Sequence, residues 1–167
     1  MPTTTDNLKE AFAGESQANR KYLAYADAAV REGKPGVAKL FRAVAAAETI
    51  HAHAHLRALG AIKGTLDNLA DAMEGESHEF TSMYPAMVAT AKAEGHKRAI
   101  RSMTEAMEVE KIHYGLFGDA LDAVKAGGDL GDVVIRICPN CGHTVIGDAP
   151  EACPVCACAG APYKIIE

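Results

Sequence analysis

The chain has 167 residues, of which 49% are hydrophobic and 23% are charged, and its formal net charge is −5. This is the composition of a globular protein, with a length that suits one domain or one domain plus a small appendage. A mildly acidic chain without tryptophan is a poor nucleic-acid binder, and no apolar run approaches the roughly 18 residues of a membrane helix, so we expect neither nucleic acid nor membrane as a partner. The N-terminus lacks the pattern of a secretory signal, and we expect a cytoplasmic protein.

The first part of the chain, residues 1–131, is rich in helix-forming Ala, Glu, Lys, Leu and Met. Glycine-containing breaks at residues 33–36, 60–64, 94–95 and 127–128 divide it into four predicted helices. Each helix is roughly 25–30 residues long, or about 40 Å at ~1.5 Å per residue. Four long helices with short and medium connections predict a four-helix bundle.

The second pair of helices looks like a degenerate copy of the first pair. The recurring elements are the Gly-Glu-Ser triplets at residues 14–16 and 75–77, the Glu-x-x-His sequences at residues 48–51 and 110–113, and Tyr22 with Tyr84. The triplets are 61 residues apart, whereas the other two pairs are 62 apart. The copy is imperfect, since Glu79 stands where the first hairpin has Ala18.

Acidic and imidazole side chains interrupt the apolar stripe of each helix near its middle. They are Glu15, Glu48, His51, Glu76, Glu79, Glu110 and His113. Burying ionised carboxylates costs several kcal/mol unless positive charge compensates them, and no Lys or Arg lies on these stripes at that level. Two divalent metals would supply that charge. Oxygen-rich ligation with one or two imidazoles suits iron or manganese.

A single Glu-x-x-His sequence is weak, because most such sequences lie on solvated helix surface. Two copies in register with two Gly-Glu-Ser copies, all on apolar stripes, favour a two-metal site. Tyr22 and Tyr84 fit two roles: they are core residues, or they form hydrogen bonds to the metal ligands.

The tail, residues 132–167, contains short β-branched runs and two C-x-x-C sequences. The four cysteines of these sequences are Cys138, Cys141, Cys153 and Cys156. Two C-x-x-C turns can enclose one metal in a tetrahedral sulfur site, and both zinc and iron accept that ligand set. All cysteines lie between residues 138 and 158, which favours a metal site in a reducing compartment over disulfides. Cys158 is then a spare thiol.

These motifs together resemble the rubrerythrin family over nearly the whole chain. The resemblance implies a mainly α protein with a ferritin-like four-helix bundle over residues 1–131, followed by a small rubredoxin-like β/knuckle domain over residues 132–167. It also implies two non-haem irons in the bundle, for which manganese or zinc can substitute, and one iron or zinc in the four-cysteine site. The tail departs from a rubredoxin at Ala157, where glycine is usual, and at Cys158, which the resemblance does not implicate as a ligand.

The activity that this resemblance implies is that of a non-haem peroxidase, which reduces hydrogen peroxide to water in oxidative-stress defence. By the same resemblance Glu48 and Glu110 bridge the two irons, and Glu76 with His113 completes one of them. Glu15 binds the other iron together with His51 or Glu79, according to oxidation state. Glu79 relays a proton when it is unligated, and Tyr22 and Tyr84 steady the ligand carboxylates.

The partners implied are a rubredoxin or an NAD(P)H-linked reductase as electron donor, and a second copy of the chain in a homodimer whose tails serve each other's bundles. Two other functions compete with a peroxidase. A ferroxidase or iron-storage protein would need no appended electron carrier. A non-catalytic bundle with a structural zinc ribbon would not keep five carboxylates on its core faces.

Overall fold

The computed structural model describes residues 1–159 and 163–167 of the chain. Its helices are α1 (Thr4–Arg31), α2 (Pro35–Ala58), α3 (Thr65–His78), α4 (Tyr84–Ala93) and α5 (Lys97–Lys125), with a π-helical segment (Glu79–Met83) between α3 and α4. The chain divides into two compact units, residues 1–63 and 64–167. This division falls between the two predicted hairpins. The predicted domain boundary after residue 131 stays a prediction.

The helix limits follow from local sequence. At the start of α1, Thr3 and Asp6 form a capping box, in which the Asp6 N–H donates to Thr3 Oγ1 (3.1 Å) and the Thr3 N–H donates to Asp6 Oδ2 (2.8 Å). Pro35 stands in the first turn of α2, where its missing N–H is harmless. Gly33 follows α1 with a φ of 69°, a left-handed conformation that only glycine adopts readily. The predicted helix breaks are therefore confirmed.

The first unit is the antiparallel hairpin of α1 and α2. Its buried residues are mostly alanines, among them Ala26, Ala29 and Ala38, against which Phe41 packs. Small side chains at these positions allow the two helix backbones to approach closely. The larger apolar residues of the predicted stripes are only half-buried, including Phe12 and Val44.

In the second unit, α3, the π-helical segment and α4 pack along α5, and the tail forms a small sheet. Its strands are β1 (Ile135–Ile137), β2 (Thr144–Ile146) and β3 (Lys164–Ile166). They are antiparallel in the order β2-β1-β3, with Ile135 opposite both Ile146 and Ile166. The strand β2 lies against α5 of the same unit. The β-branched runs at residues 145–146 and 165–166 lie in β2 and β3, whereas only the last residue of the run at 133–135 lies in β1.

The third predicted helix is helical over its whole length but is not a uniform α-helix, because the π-helical segment separates α3 from α4. Among the described residues, no helix combines the length and the apolar character needed to cross a membrane.

Candidate metal centres

The first unit brings three of the predicted ligands together. Glu15 projects from α1, and Glu48 and His51 project from consecutive turns of α2. The His51 Nδ1 atom lies 3.1 Å from Glu48 Oε2 and 3.7 Å from Glu15 Oε1. The histidine side chain is 54% exposed, so this cluster is open on its imidazole side.

The second unit repeats this arrangement with Glu76 of α3 and Glu110 and His113 of α5. The His113 Nδ1 atom lies 2.8 Å from Glu110 Oε2 and 3.7 Å from Glu76 Oε1. The repeat found in the sequence is therefore also a repeat of geometry, in which each hairpin carries two carboxylates and one imidazole. The His113 side chain is only 27% exposed, half the value for His51.

The carboxylates in both clusters lie close enough to disfavour their charged forms. Burial raises the pKa of Glu76 to about 7, and the neighbouring Glu110 carboxylate adds to this shift. A hydrogen bond with Glu48 is the main cause of the raised pKa of Glu15. Positive charge placed between these oxygens would remove the repulsion. Carboxylate and imidazole donors within 4.8 Å of one another are a suitable set for iron, so the residues fit such an ion.

The tail provides an additional partner for His113. Its Nε2 atom lies 3.0 Å from the Thr144 hydroxyl oxygen of β2, and that hydroxyl donates a hydrogen bond to the Gly142 carbonyl oxygen (2.9 Å). In the described part of the chain, His51 has no hydrogen bond at its Nε2 atom. The two imidazoles thus differ in how they are held.

The additional carboxylate, Glu79, begins the π-helical segment. In this segment the Tyr84 N–H donates to the Glu79 carbonyl oxygen, five residues back, so the segment accommodates one extra residue. The repeat requires such an insertion, because the offset is 61 residues up to Glu79 and 62 at Tyr84. The insertion falls at the point where the second hairpin gains its extra carboxylate. Burial and the Glu110 charge raise the pKa of Glu79.

The two tyrosines have different surroundings. The Tyr22 ring packs near Phe41 and Tyr25, with centroid distances of 6.1 and 6.2 Å. Burial raises the pKa of Tyr84, and the charges of Glu79, Glu110 and Glu76 contribute to that rise. No hydroxyl of either tyrosine forms a hydrogen bond to a ligand carboxylate within residues 1–159 and 163–167. Their predicted part in steadying the ligands stays a prediction.

Two polar residues near the clusters were not predicted. Asn19 is buried in the first unit, where its Nδ2 atom donates to the Ala45 carbonyl oxygen (2.7 Å) and to Thr49 Oγ1 (2.8 Å). Asn19 lies one helical turn after Glu15, so helical periodicity could have predicted that it lies on the inner side of α1. Thr144 has no such signal, because only the folded tail brings it to His113.

The four predicted cysteine ligands form one cluster in the second unit. Cys138 Sγ lies 3.8 Å from Cys156 Sγ, and Cys141 Sγ lies 3.5 Å from Cys153 Sγ. These distances exclude disulfides and match a cage of four thiolates around one metal. Cys158 is a free thiol outside this cluster.

Hydrogen bonds favour the thiolate form of one cysteine in this cluster. Burial acts to raise the pKa of Cys153, but the Cys156 and Val155 N–H groups and the Tyr163 hydroxyl outweigh it and lower that pKa to about 6. Burial raises the pKa of Cys141. A metal would therefore meet one thiolate already formed, and the four sulfurs fit iron or zinc.

The two C-x-x-C turns differ after their second cysteine. Gly142 has a φ of 87°, and Ala157 occupies the corresponding place with a φ of 55°. Among the described residues, Ala157 is the only residue other than glycine in this left-handed region. The departure from the rubredoxin pattern at Ala157 is therefore a position of backbone strain.

The chain is similar in sequence to a known protein family. A family model described as Rubrerythrin matches residues 6–121. The chain is 38% identical to rubrerythrin-2 of Clostridium acetobutylicum, over 92% of this chain and 91% of that protein. It is 33% identical to nigerythrin of Nitratidesulfovibrio vulgaris, over 92% of this chain and 82% of that protein.

Solved structures of nigerythrin show the same fold class. A structure described as fully reduced, all-ferrous nigerythrin is 30% identical, covers 99% of this chain and 88% of its own, and has a TM-score of 0.59. A mixed-valence nigerythrin is 31% identical with a TM-score of 0.58. The predicted class, a ferritin-like helical part followed by a rubredoxin-like tail, is confirmed. The Glu/His and four-cysteine clusters fit the iron cofactors of these proteins, and the chain belongs to the rubrerythrin family of iron-binding oxidoreductases.

Proposed function

We propose that the protein is a non-haem peroxidase that reduces hydrogen peroxide to water in defence against oxidative stress. The supporting observation is that two Glu/His clusters of one geometry accompany a four-thiolate cluster whose sheet packs against α5, the helix that carries Glu110 and His113. Each peroxide takes up two electrons and two protons and leaves as two water molecules. A thiolate site that carries one electron at a time would deliver those electrons in two steps.

The two Glu/His clusters contain the residues that would hold the two irons. Glu15 and Glu48 with His51 would hold iron in the first unit, and Glu76 and Glu110 with His113 would hold iron in the second. Bound iron would supply reversible one-electron redox chemistry. Cys138, Cys141, Cys153 and Cys156 would hold the third iron.

Glu79 and His51 are the two residues to which we assign a change of role. The His51 side chain is half-exposed, and within the described residues its ring is held at Nδ1 by Glu48 but has no hydrogen bond at Nε2. If iron is bound, a higher positive charge on the ion would favour the Glu79 carboxylate over the His51 imidazole as its ligand. While it is not a ligand, the Glu79 carboxyl oxygen can hold and pass one of the two protons.

A cavity beside the second cluster would admit the substrate. Its volume is about 460 Å³, and Glu76, His113 and Thr144 contribute to its wall. The rest of the lining is apolar and includes Leu69, Phe117 and Ile146. A small neutral molecule such as hydrogen peroxide would enter this space more readily than an ion.

The partners that we propose follow the family resemblance. They are a rubredoxin or an NAD(P)H-linked reductase as electron donor, and a second copy of the chain in a homodimer. The free thiols of the four-cysteine cluster favour a reducing compartment, so we propose the cytoplasm as the location.

The test is a peroxide-consumption assay under argon with an NAD(P)H-linked reductase and a rubredoxin as donor system. The iron-loaded chain should oxidise one NAD(P)H for each peroxide consumed. The Cys141→Ser variant should lose this coupling, because its thiolate site lacks one ligand. A chain that consumes oxygen and deposits ferric mineral, but does not couple peroxide to NAD(P)H, would contradict the proposal and favour a ferroxidase.

A further inference from the structure

A cavity of about 330 Å³ lies beside the four-cysteine cluster in the second unit. On one side it is lined by Arg98, Arg101 and Glu105 of α5. On the other side it is lined by Asn140 and Cys141, from the first C-x-x-C turn. One of the four thiolate ligands therefore lies in the wall of a cavity that also contains two guanidinium groups.

Cys141 is the cysteine through which the cluster faces this cavity. The second cysteine of each C-x-x-C turn is half-buried, whereas Cys138 and Cys153 are each only 2% exposed. The rate of electron transfer falls steeply with the distance between two redox centres. A donor that approaches from outside therefore reaches the cluster best beside a ligand that lies near the surface, and the cavity gives such a donor access to Cys141.

The positive charge at this cavity is only partly neutralised. Arg98 is exposed and forms no ion pair with any residue that the structure describes. Arg101 donates from Nε to Glu105 Oε1 (2.7 Å), and its side chain is 67% exposed. Within residues 1–159 and 163–167 the two terminal nitrogens of Arg101 have no partner, so they remain available as donors. Two guanidinium groups against one carboxylate leave the cavity positive, although the chain has a net charge of −5.

Helix stability does not account for these arginines. Arg98 lies in the first turn of α5 and Arg101 in the second, and the first turn contains no acidic residue. The dipole of a helix favours acidic side chains at this end and disfavours basic ones. A role in docking accounts for them better, because positive charge around a redox site attracts the negative face of a partner and raises its association rate.

We propose that this cavity, with Arg98 and Arg101 beside it, is the docking surface for an acidic face of the electron-donor protein, which reduces the four-cysteine site next to Cys141. The inference rests on the proposed function, in which that site carries electrons. One electron leaves the reduced donor, the four-cysteine site changes from ferric to ferrous, and no bond forms or breaks. Because the chain as a whole is acidic, the positive cavity also orients an acidic donor. The surface concerns the entry of electrons, so it agrees with a homodimer in which each tail serves the partner's bundle.

The kinetic test follows the four-cysteine iron of the iron-loaded full chain as it is reduced under argon, without peroxide. The donor is a rubredoxin of net negative charge in catalytic amount. Excess NAD(P)H and its reductase keep it reduced, so that transfer to the chain limits the rate. We expect Arg98→Glu to slow the loss of the visible band about 10-fold at low ionic strength. The difference should vanish near 1 M salt, where the Debye length is about 3 Å.

Three controls distinguish docking from damage to the site. Arg98→Lys keeps the charge and should keep the wild-type rate. Lys125→Glu makes the same change of charge in the last turn of α5, about 40 Å away at ~1.5 Å per residue, and should have little effect. Reduced methyl viologen, a small cation, should reduce Arg98→Glu no more slowly than the wild type. The variant should remain folded, because glutamate is favoured near the start of a helix.

A second readout measures docking without electron transfer. In nitrogen-15 NMR of the zinc-loaded full chain, zinc-loaded rubredoxin should shift the amide signals around the cavity, namely those of Arg98, Arg101, Asn140 and Cys141. Arg98→Glu should weaken these shifts, whereas Lys125→Glu should leave them unchanged. Inorganic phosphate at the same ionic strength should not reproduce them.

Equal rubredoxin rates in the wild type and Arg98→Glu, or an equal slowing with methyl viologen, would overturn the inference. Amide shifts that phosphate alone reproduces, or that rubredoxin causes only elsewhere on the chain, would overturn it too. Failure of peroxide to reoxidise the chemically reduced wild-type chain is a different result, because it would refute the proposed function. Neither docking measurement contains peroxide, so both would still decide whether this cavity binds the donor.

Discussion

The two helical hairpins carry the same three ligand types in the same geometry, yet their surroundings differ. In the first hairpin, Glu15, Glu48 and His51 form a cluster whose imidazole is 54% exposed and has no hydrogen bond at Nε2 to any residue that the structure describes. In the second hairpin the corresponding imidazole is 27% exposed and bound to the tail. Each copy of the hairpin carries a set of residues that could hold a metal ion, and we propose that the differences between the copies give the two sets separate tasks.

The same contrast appears in the remaining parts of the repeat. The second hairpin contains a π-helical insertion and Glu79, which the first lacks. The first hairpin contains the buried Asn19, where the second has Phe80 packed edge-on against Tyr114 at 5.7 Å. The two C-x-x-C turns differ likewise at Gly142 and Ala157.

Removal of Glu79 should have the largest effect, because it removes the carboxylate that the first hairpin lacks and to which we assign proton transfer. We expect Glu79→Ala to retain iron and to lose about 100- to 10,000-fold in peroxide turnover, the range for loss of a proton-transferring group. Steady-state assays with iron analysis check this. Glu74→Ala, at an exposed position of the preceding helix α3, is the control. Turnover near that of the wild type would show that the additional carboxylate is dispensable.

The two histidines should contribute unequally to iron affinity. The Nε2 atom of His113 contacts the Thr144 hydroxyl, whereas that of His51 has no such contact in residues 1–159 and 163–167. His113→Gln should therefore weaken iron binding about 10-fold more than His51→Gln does. Competition with a chelator under argon measures both affinities. Equal losses in the two variants would mean that the hydrogen bond to the tail adds nothing to ligand strength.

The buried amide of Asn19 should stabilise the first hairpin alone. Asn19→Ala removes the hydrogen bonds to Ala45 and Thr49, and we expect the free energy of unfolding to fall by about 1–3 kcal/mol. Urea unfolding followed by circular dichroism measures the change. Asn7→Ala, on the exposed side of α1, should change stability by no more than about 0.5 kcal/mol. Similar losses in both variants would refute this role.

The smallest effect is expected at the second C-x-x-C turn. Ala157→Gly relieves a left-handed backbone conformation and should stabilise the tail by about 1 kcal/mol. The temperature at which the visible band of the iron–thiolate site disappears should rise by a few degrees. Ala126→Gly, where φ is −75°, should give no such gain. A lower temperature for Ala157→Gly would contradict the strain argument.

Much of this structure follows from periodicity and spacing. The helix breaks at glycine, short strands in the tail, one two-metal Glu/His site and a four-cysteine site were predicted. The breaks depend on local residues, whereas the ligand sets were found from repeated spacing along the chain. The structure groups the Glu/His residues as two clusters, one in each unit. The third helix was predicted to be uniform, although the change of offset from 61 to 62 residues contained the sign of an inserted residue. The change of offset alone does not identify a π-helical segment, because such a segment is defined by its backbone hydrogen bonds, and these are seen only in the structure.

The contact between the tail and α5 could not be predicted. Thr144 and His113 are 31 residues apart, and neither has a pattern that points to the other. Their meeting depends on how the small sheet packs against the helix, which is a property of tertiary structure. The same holds for Tyr163, whose hydroxyl reaches His143 at 2.9 Å only in the folded tail.

The measurement that tests the central claim most directly is anaerobic stopped-flow reoxidation of the fully reduced, iron-loaded chain. One portion is mixed with hydrogen peroxide and another with oxygen, and the visible band of the oxidised four-cysteine iron is followed in both. We predict a fast return of the band with peroxide and a slow return with oxygen. A fast return with oxygen accompanied by ferric mineral, or no band in the oxidised iron-loaded protein, would contradict a peroxidase supplied with electrons by the four-cysteine site.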